Sequence, residues 1–442
     1  MLFTKRDLRR LVLPLIGEQL LAVTVGMADT VMVAYAGEAA MSGVALVDSI
    51  IMLMLQLFAA LCTGGAVVVS QLLGKGDAKA AGRAAGQLVQ LAAGLALAVT
   101  ALALPLRGPL LRGIFGAVEP SVMASAQTYF LLTALSLPFL GVYNAGAALL
   151  RCIGDTAASL RISAVMNLVN VAGNAWLIYG CGLGVAGAAL ASLAARGVAA
   201  GAIGLLLYHR HTPFSVRGQV LRRPQMRTVL AILRIGVPSG LENGMFQVGK
   251  LMVQRLVASF GTVAIAANAA AGNIACLATI PGSAVSLALL SVVGRCMGAG
   301  QPDEAAADTK RLMGMAFVSM AVLNVLVFLG LGPIVSVYGL GPDTAALTAQ
   351  VMAWHCLAAA LLWTPSFCLP SALRGAGDVS YTMKVSVASM WVCRIGCSYL
   401  LAQGLGLGLL GVWLAIFVDW LARAALFGLR FWRGAWRTKR VL

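Results

Sequence analysis

Long apolar stretches recur from one end of the chain to the other, among them Leu11–Val25, Leu88–Leu106 and Met313–Leu331. A bilayer core about 30 Å thick takes about 20 such residues per helix. Backbone groups inside hydrocarbon must find their partners within the spanning element, which favours helices for spans of this length. These stretches follow one another at short intervals and leave no room for a soluble domain. Composition agrees, with 60% of the 442 residues hydrophobic and 11% charged, against about 25% charged in ordinary soluble domains. The expected fold class is an all-α integral membrane protein with about twelve transmembrane helices.

Hydropathy and Gly/Pro punctuation place the spans at 11–35, 44–73, 84–106, 125–149, 159–180 and 186–208, then at 229–257, 264–293, 311–332, 348–371, 382–403 and 408–430. The domains expected are a six-helix lobe at 1–208, a basic linker at 209–227 and a second six-helix lobe with a basic tail at 228–442. The net charge of +17 does not indicate nucleic acid, because the Lys and Arg residues punctuate alternate gaps instead of forming one patch. Lys75, Lys79, Arg83, Arg151, Arg161, Arg210, Arg217, Arg222, Arg223, Arg227, Arg295, Lys310, Arg311, Arg374, Lys384 and Arg440 fall on one side. Opposite loops hold only Arg107 and Arg112. Basic loops stay cytoplasmic, so both termini are expected inside. Lys5, Arg6, Arg9 and Arg10 before an apolar run imitate a signal peptide, but that run reappears later in the chain as a structural helix. The nine cysteines are scattered, without metal-ligand spacing, and read as buried free thiols.

The chain repeats itself. Pro14 and Glu18 in LPLIGEQL match Pro238 and Glu242 in GVPSGLEN, 224 residues later, and Gly74 and Gly76 match Gly298 and Gly300 at the same offset. Arg151, Gly154 and Asp155 match Arg374, Gly377 and Asp378 at 223, and GLGVAGAALA from Gly182 matches GLGLLGVWLA from Gly406 at 224. Each half has an even number of spans, so the repeats are expected to be parallel, related by an axis along the membrane normal. The GLGVAG and GLGLLG segments also fit GxGxxG. That fingerprint has meaning between a strand and a helix, whereas here it sits in outer turns, so helix packing explains both copies. No GxxxxGK[ST] loop is present, and nucleotide is not an expected partner.

Charges inside the membrane cost about 2.5–3.5 kcal/mol each on insertion scales and are functional candidates by default. Helix 1 carries Glu18 and Asp29, about three turns apart on one face. Asp29 has no basic neighbour in GMADTVMVAY, and desolvation penalises the charged form of a buried carboxylate, which makes Asp29 a candidate proton acceptor. Asn167, Asn170 and Asn174 form a polar stripe on helix 5, either interhelical hydrogen-bond glue or part of a cation site beside Asp29. In the second half Glu242 and Lys250 lie two turns apart. Asp419 and Arg423 form an i, i+4 pair, while Arg394 and Arg196 lack local acids, Arg394 being placed to meet Glu242 or a substrate group. Glu18, Glu242, Lys250 and Arg394 are therefore candidates for a substrate or second-lobe polar site.

LPLIGEQLLAVTVGMADTVMVAYAG, SQLLGKGDAKAAGRAA, ALLRCIGDT, GLGVAGAALAS, VPSGLENGMFQVGK and ALRGAGDV together resemble the multidrug and toxic compound extrusion (MATE) family over nearly the whole chain. The resemblance implies two six-helix lobes forming a V around a central cavity, and export of mostly cationic, amphipathic organic compounds in exchange for H⁺ or Na⁺. Asp29 looks like the family's helix 1 carboxylate, Asn170 matches the helix 5 asparagine, and Ser192 stands where the family often has threonine. Asn174 occupies a position where many members carry a second aspartate, and Phe246 and Gln247 stand near another acid of some members. The resulting coupling-ion site is Asp29, Asn170, Asn174 and Ser192, with no cofactor and no bound metal, and the missing carboxylate favours H⁺ over Na⁺. The implied partners are the lipid bilayer and small organic cations, with a monomer expected in a bacterial plasma membrane. A lipid-linked oligosaccharide flippase is the nearest alternative and would need a cavity rich in basic residues. A membrane transferase would need a catalytic cluster that His209, His211 and His355 do not make, and a passive channel would show no counter-ion dependence.

Overall fold

The computed structural model describes residues 2–116, 118–209, 218–220 and 222–439. Part of the basic linker, 210–217 and 221, with Arg210, His211 and Arg217, lies outside the described residues, as does Arg440. The described residues form helices and connecting turns without a strand. In chain order the helices are α1 (Lys5–Ala34), α2 (Glu38–Gly74), α3 (Ala78–Phe115), α4 (Pro120–Ile153), α5 (Thr156–Gly180), α6 (Gly184–His209), α7 (Met226–Ala258), α8 (Thr262–Ala278), α9 (Ile280–Gly298), α10 (Pro302–Leu329), α11 (Leu331–Ser336), α12 (Pro342–Gly375), α13 (Val379–Gly404) and α14 (Gly408–Trp432). Among the described residues, eleven of these are long and apolar enough to cross a membrane. The expected span at 229–257 is α7, whose length carries Arg234, Glu242 and Lys250 and which is not among the eleven.

The expected single span at 264–293 is two helices, α8 and α9, broken at Thr279. Pro281 has no N–H to continue the ladder, and its ring clashes with the carbonyl four residues back. Thr279 Oγ1 donates to the carbonyl of Ala275 at 3.0 Å, restoring a partner where the ladder stops.

The chain divides into two compact units, one of Leu13–Gly236 and one of Met1–Val12 with Val237–Leu442. The division falls inside α1 and α7, one residue before Pro14 and Pro238, so each of these helices contributes its first turns to one unit and the rest to the other. In the first unit, α4 packs against α2, α3 and α6, and α5 against α6. In the second, α12 holds the same central place against α8, α9, α10 and α14. Cys62, Cys152, Cys296, Cys356 and Cys368 are buried as expected, whereas Cys181, in the turn after α5, and Cys276 are exposed.

The repeated glycine motifs turn out to be one device used four times. At Gly76, Gly154, Gly300 and Gly377 the backbone has positive φ. In each case the next residue's N–H bonds to a carbonyl five back, as in Asp155 to Leu150 at 2.9 Å and Asp378 to Leu373 at 2.9 Å. This is the Schellman closure, which satisfies the last carbonyls of a helix. Asp77 and Asp155 then cap the following helices, accepting from Ala80 N at 2.9 Å and Ala158 N at 3.1 Å.

The two GxGxxG segments are likewise structural. Gly182 and Gly184 have φ of 66° and 51°, and Gly406 and Gly408 have 71° and 53°, so the same tight turn is built twice. The third glycine of each lets α6 and α14 approach backbone: a Cβ at Gly187 would lie 3.0 Å from Leu177, and one at Gly411 2.7 Å from Leu401 and Ala402. Gly411→Val should therefore cost about 1–3 kcal/mol through overpacking. Gly428→Val, where a Cβ meets nothing within 4 Å, should be tolerated. Retention of the monodisperse peak after heating in detergent distinguishes the two.

Candidate functional site

Five helices of the first unit build a polar cavity of about 240 Å³, lined by Asp29 from α1, Asp48 from α2, Tyr129 from α4, Asn174 from α5, and Ser192 and Arg196 from α6. Asn174 Nδ2 donates to Asp29 Oδ1 at 2.7 Å. The Asn170 amide lies 2.7 and 3.1 Å from the two Asp29 oxygens and 3.1 Å from Ser192 Oγ. The orientation that pairs donors with acceptors has its nitrogen donating to Asp29 and its oxygen accepting from Ser192. Asn170 and Asn174 are both buried. They reach the same carboxylate because positions four apart share a helix face, and α5 passes into a π-helical segment, Ala175–Gly180, directly after Asn174. Such segments are frequent at functional sites.

The structure thus brings Asp29, Asn170, Asn174 and Ser192 together. Asn167, the third residue of the stripe, is outside the group and donates to Ser163 Oγ at 3.4 Å. Of the two further charged groups here, Asp48 gave no signal in the sequence, whereas Arg196 stood out as an intramembrane charge. Asp48 lines the same cavity and accepts from Tyr129 Oη at 3.3 Å. Arg196, without a local acid in the sequence, donates to Ser136 Oγ at 2.6 Å and lies within electrostatic reach of both Asp29 and Asp48. With both acids ionised the three side chains sum to one negative charge, and a single proton makes the cavity neutral.

Glu18 lies away from this cavity, on the same face of α1. It accepts from Ser159 Oγ at 3.0 Å and stands 3.7 Å from Arg151 Nη1 at the end of α4. Its repeat counterpart Glu242 pairs with Arg374 at 2.6 Å. The same acid–base tie, between the first helix and the end of the fourth, is therefore built once in each unit. Arg394 does not meet Glu242; it lies 3.1 Å from Asp419, which also holds Arg423 at 2.9 Å. Lys250 and Arg394 gather instead around the ring of Phe246, 5.3 and 4.9 Å from its centroid.

A many-helix membrane fold with a half-buried carboxylate held by two amides is the arrangement of a transporter. The MatE family model matches residues 14–176 and again 238–400, the same 224-residue offset as the internal repeat. The chain belongs to this family of multidrug and toxic compound extrusion transporters, whose members are not enzymes. Among curated relatives, it is 27% identical to a probable multidrug resistance protein NorM of Thermotoga maritima over 99% of the chain and 94% of that protein. It is 25% identical to the uncharacterized transporter YisQ of Bacillus subtilis over 95% of the chain and 92% of that protein. Solved structures share the fold. An outward-facing multidrug resistance MATE transporter superposes with a TM-score of 0.91 at 20% identity, covering 97% of this chain and 95% of that one. A MOP superfamily transporter from Pyrococcus furiosus, described as having a binding pocket of reversed polarity, gives 0.92 at 20% identity over 99% and 97%.

Proposed function

We propose that the chain exports amphipathic, mostly cationic organic compounds by antiport, driven by inward H⁺ flux through alternating access. The observation that carries this reading is the first-unit cavity, in which Asp29 accepts from two buried asparagine amides and shares the space with Asp48 and Arg196. H⁺ is favoured over Na⁺ for two physical reasons. The amide groups turn nitrogen donors toward Asp29, whereas a hard cation needs oxygen ligands. The Arg196 guanidinium, moreover, offers only donors where a hard cation would need a further oxygen ligand. Asp48 supplies a second carboxylate where the family resemblance finds Asn174 in place of an aspartate, so the pair Asp29–Asp48 exchanges the proton as one coupled site.

Protonation removes the cavity's net negative charge and with it the anchor for an organic cation. Directional transport requires each ligand to favour one conformation. A membrane potential of 100 mV offers about 2.3 kcal/mol per charge, enough for about 50-fold accumulation. The basic loops favour both termini inside, and the bacterial relatives favour a bacterial inner membrane.

The test is efflux of a fluorescent organic cation from proteoliposomes under an imposed proton or sodium gradient. H⁺-driven efflux that the sodium gradient does not reproduce supports the reading, and transport indifferent to both gradients rejects antiport. In the same vesicles Asp48→Asn should lose most of the H⁺-driven efflux. Unchanged efflux in that variant would remove Asp48 from the site.

A further inference from the structure

We propose that the second unit carries a binding site for an oxyanion, a carboxylate or phosphate borne by an amphipathic molecule, formed by Lys250 and Arg394 beside the Phe246 ring. The inference goes beyond the coupling reading and stands whether or not Asp29 carries protons.

Charge makes the case first. Lys250, Arg394 and Arg423 all lie over Phe246, at 5.3, 4.9 and 5.6 Å from its centroid. Asp419 is the carboxylate that the described residues give this cluster. Arg423 is held by three contacts: its Nε donates to Asp419 Oδ1 and Ser389 Oγ, each at 2.9 Å, and its Nη2 to the Ser386 carbonyl at 3.0 Å. Arg394 shares the same acid at 3.1 Å, and its buried Nε has no hydrogen-bond partner. Among the described residues Lys250 meets no carboxylate, and its side chain is exposed. The cluster therefore carries an excess of two positive charges at mid-helix positions of α7, α13 and α14. Like charges held this close repel one another, and a bound anion relieves that repulsion.

The internal repeat makes the case independently. At the offset of 224, Lys250 stands opposite Gly26, Arg394 opposite Asn170, and Val253 opposite Asp29. Gly26 and Asp29 line the first unit's acidic cavity. The equivalent place in the second unit has thus lost its carboxylate and gained two cations, while Phe246 adds an apolar face beside them. Such a surface selects an anionic head attached to an apolar or aromatic body.

The probe is 1-naphthoate, with neutral 1-naphthamide as control, titrated against the full chain in phosphatidylcholine nanodiscs. Naphthoate should bind about tenfold or more tightly than naphthamide, the scale of one charge-assisted hydrogen bond. Lys250→Met should erase that preference, Lys250→Arg should restore it, and Asp29→Asn should leave it intact. Equal binding of the two probes by the wild type, or a preference that survives Lys250→Met, overturns the proposal. Replacing half of the phosphatidylcholine by phosphatidylglycerol identifies the source of the oxyanion. Competition with naphthoate marks a lipid headgroup; no competition, with Lys250-dependent naphthoate movement in proteoliposomes, marks a transported solute.

Discussion

Asp29→Asn is expected to abolish gradient-driven efflux while leaving the protein folded in the membrane. The substitution is nearly isosteric, so the packing of α1 against its neighbours is kept. What changes is the arithmetic of charge in the cavity. With Asp29 and Asp48 both ionised, Arg196 leaves one negative charge to be titrated. With Asn at position 29, Asp48 and Arg196 already cancel, and no proton exchange remains to distinguish one conformation from the other. A ligand that distinguishes no states shifts none. The amides of Asn170 and Asn174, which donate to Asp29 at 2.7 Å, can still donate to the new amide oxygen. The stability cost is then about 1 kcal/mol, the difference between a charge-assisted and a neutral hydrogen bond. The expected readout is cation accumulation falling from about 50-fold at 100 mV to the passive level, with an unchanged size-exclusion profile. Full proton-driven efflux in folded Asp29→Asn protein would assign coupling elsewhere.

How much of this was visible beforehand differs from residue to residue, for physical reasons. The spans and the repeat were legible because a bilayer imposes length and apolarity on every segment, and duplicated turns keep their glycines wherever positive φ is needed. Asp29 and the Asn170/Asn174 pair were legible because a charge or a polar stripe stands out against an apolar helix. Asp48 was hidden by a boundary. Placing the second span at 44–73 made it an end residue, whereas α2 begins at Glu38 and carries Asp48 well into the helix. Tyr129 and Ser136 gave no signal, since single hydroxyls are common in membrane helices. The ties Glu18–Arg151 and Glu242–Arg374 join residues far apart in sequence, and only their recurrence at offsets of 224 and 223 could have indicated them. The sequence left Arg394 open between Glu242 and a substrate group, and its neighbour Asp419 stayed hidden because Asp419 looks self-sufficient beside Arg423 at i+4.

Asp419→Asn should be among the most destabilising single substitutions in the second unit. Asp419 is fully buried and is the counter-charge for two guanidinium groups, themselves 4–8% exposed. Breaking a buried ion pair by removing one partner costs about 3–5 kcal/mol, because the remaining charge keeps its desolvation penalty and loses its compensation. Here two such charges are left, with the Lys250 ammonium beside them. Glu242→Gln should cost less, although it also breaks an ion pair, because Arg374 keeps 21% of its side chain in contact with solvent and can be hydrated. The measurement is the temperature at which half of the monodisperse protein is lost in detergent, compared across Asp419→Asn, Glu242→Gln and the wild type. The double variant Asp419→Asn with Arg394→Met should recover part of the loss, since it removes one of the stranded charges along with its counter-ion. A single variant as stable as the wild type would mean that the guanidinium groups find another anion, and a dependence of that stability on added naphthoate would identify the ligand of the basic site as their replacement partner.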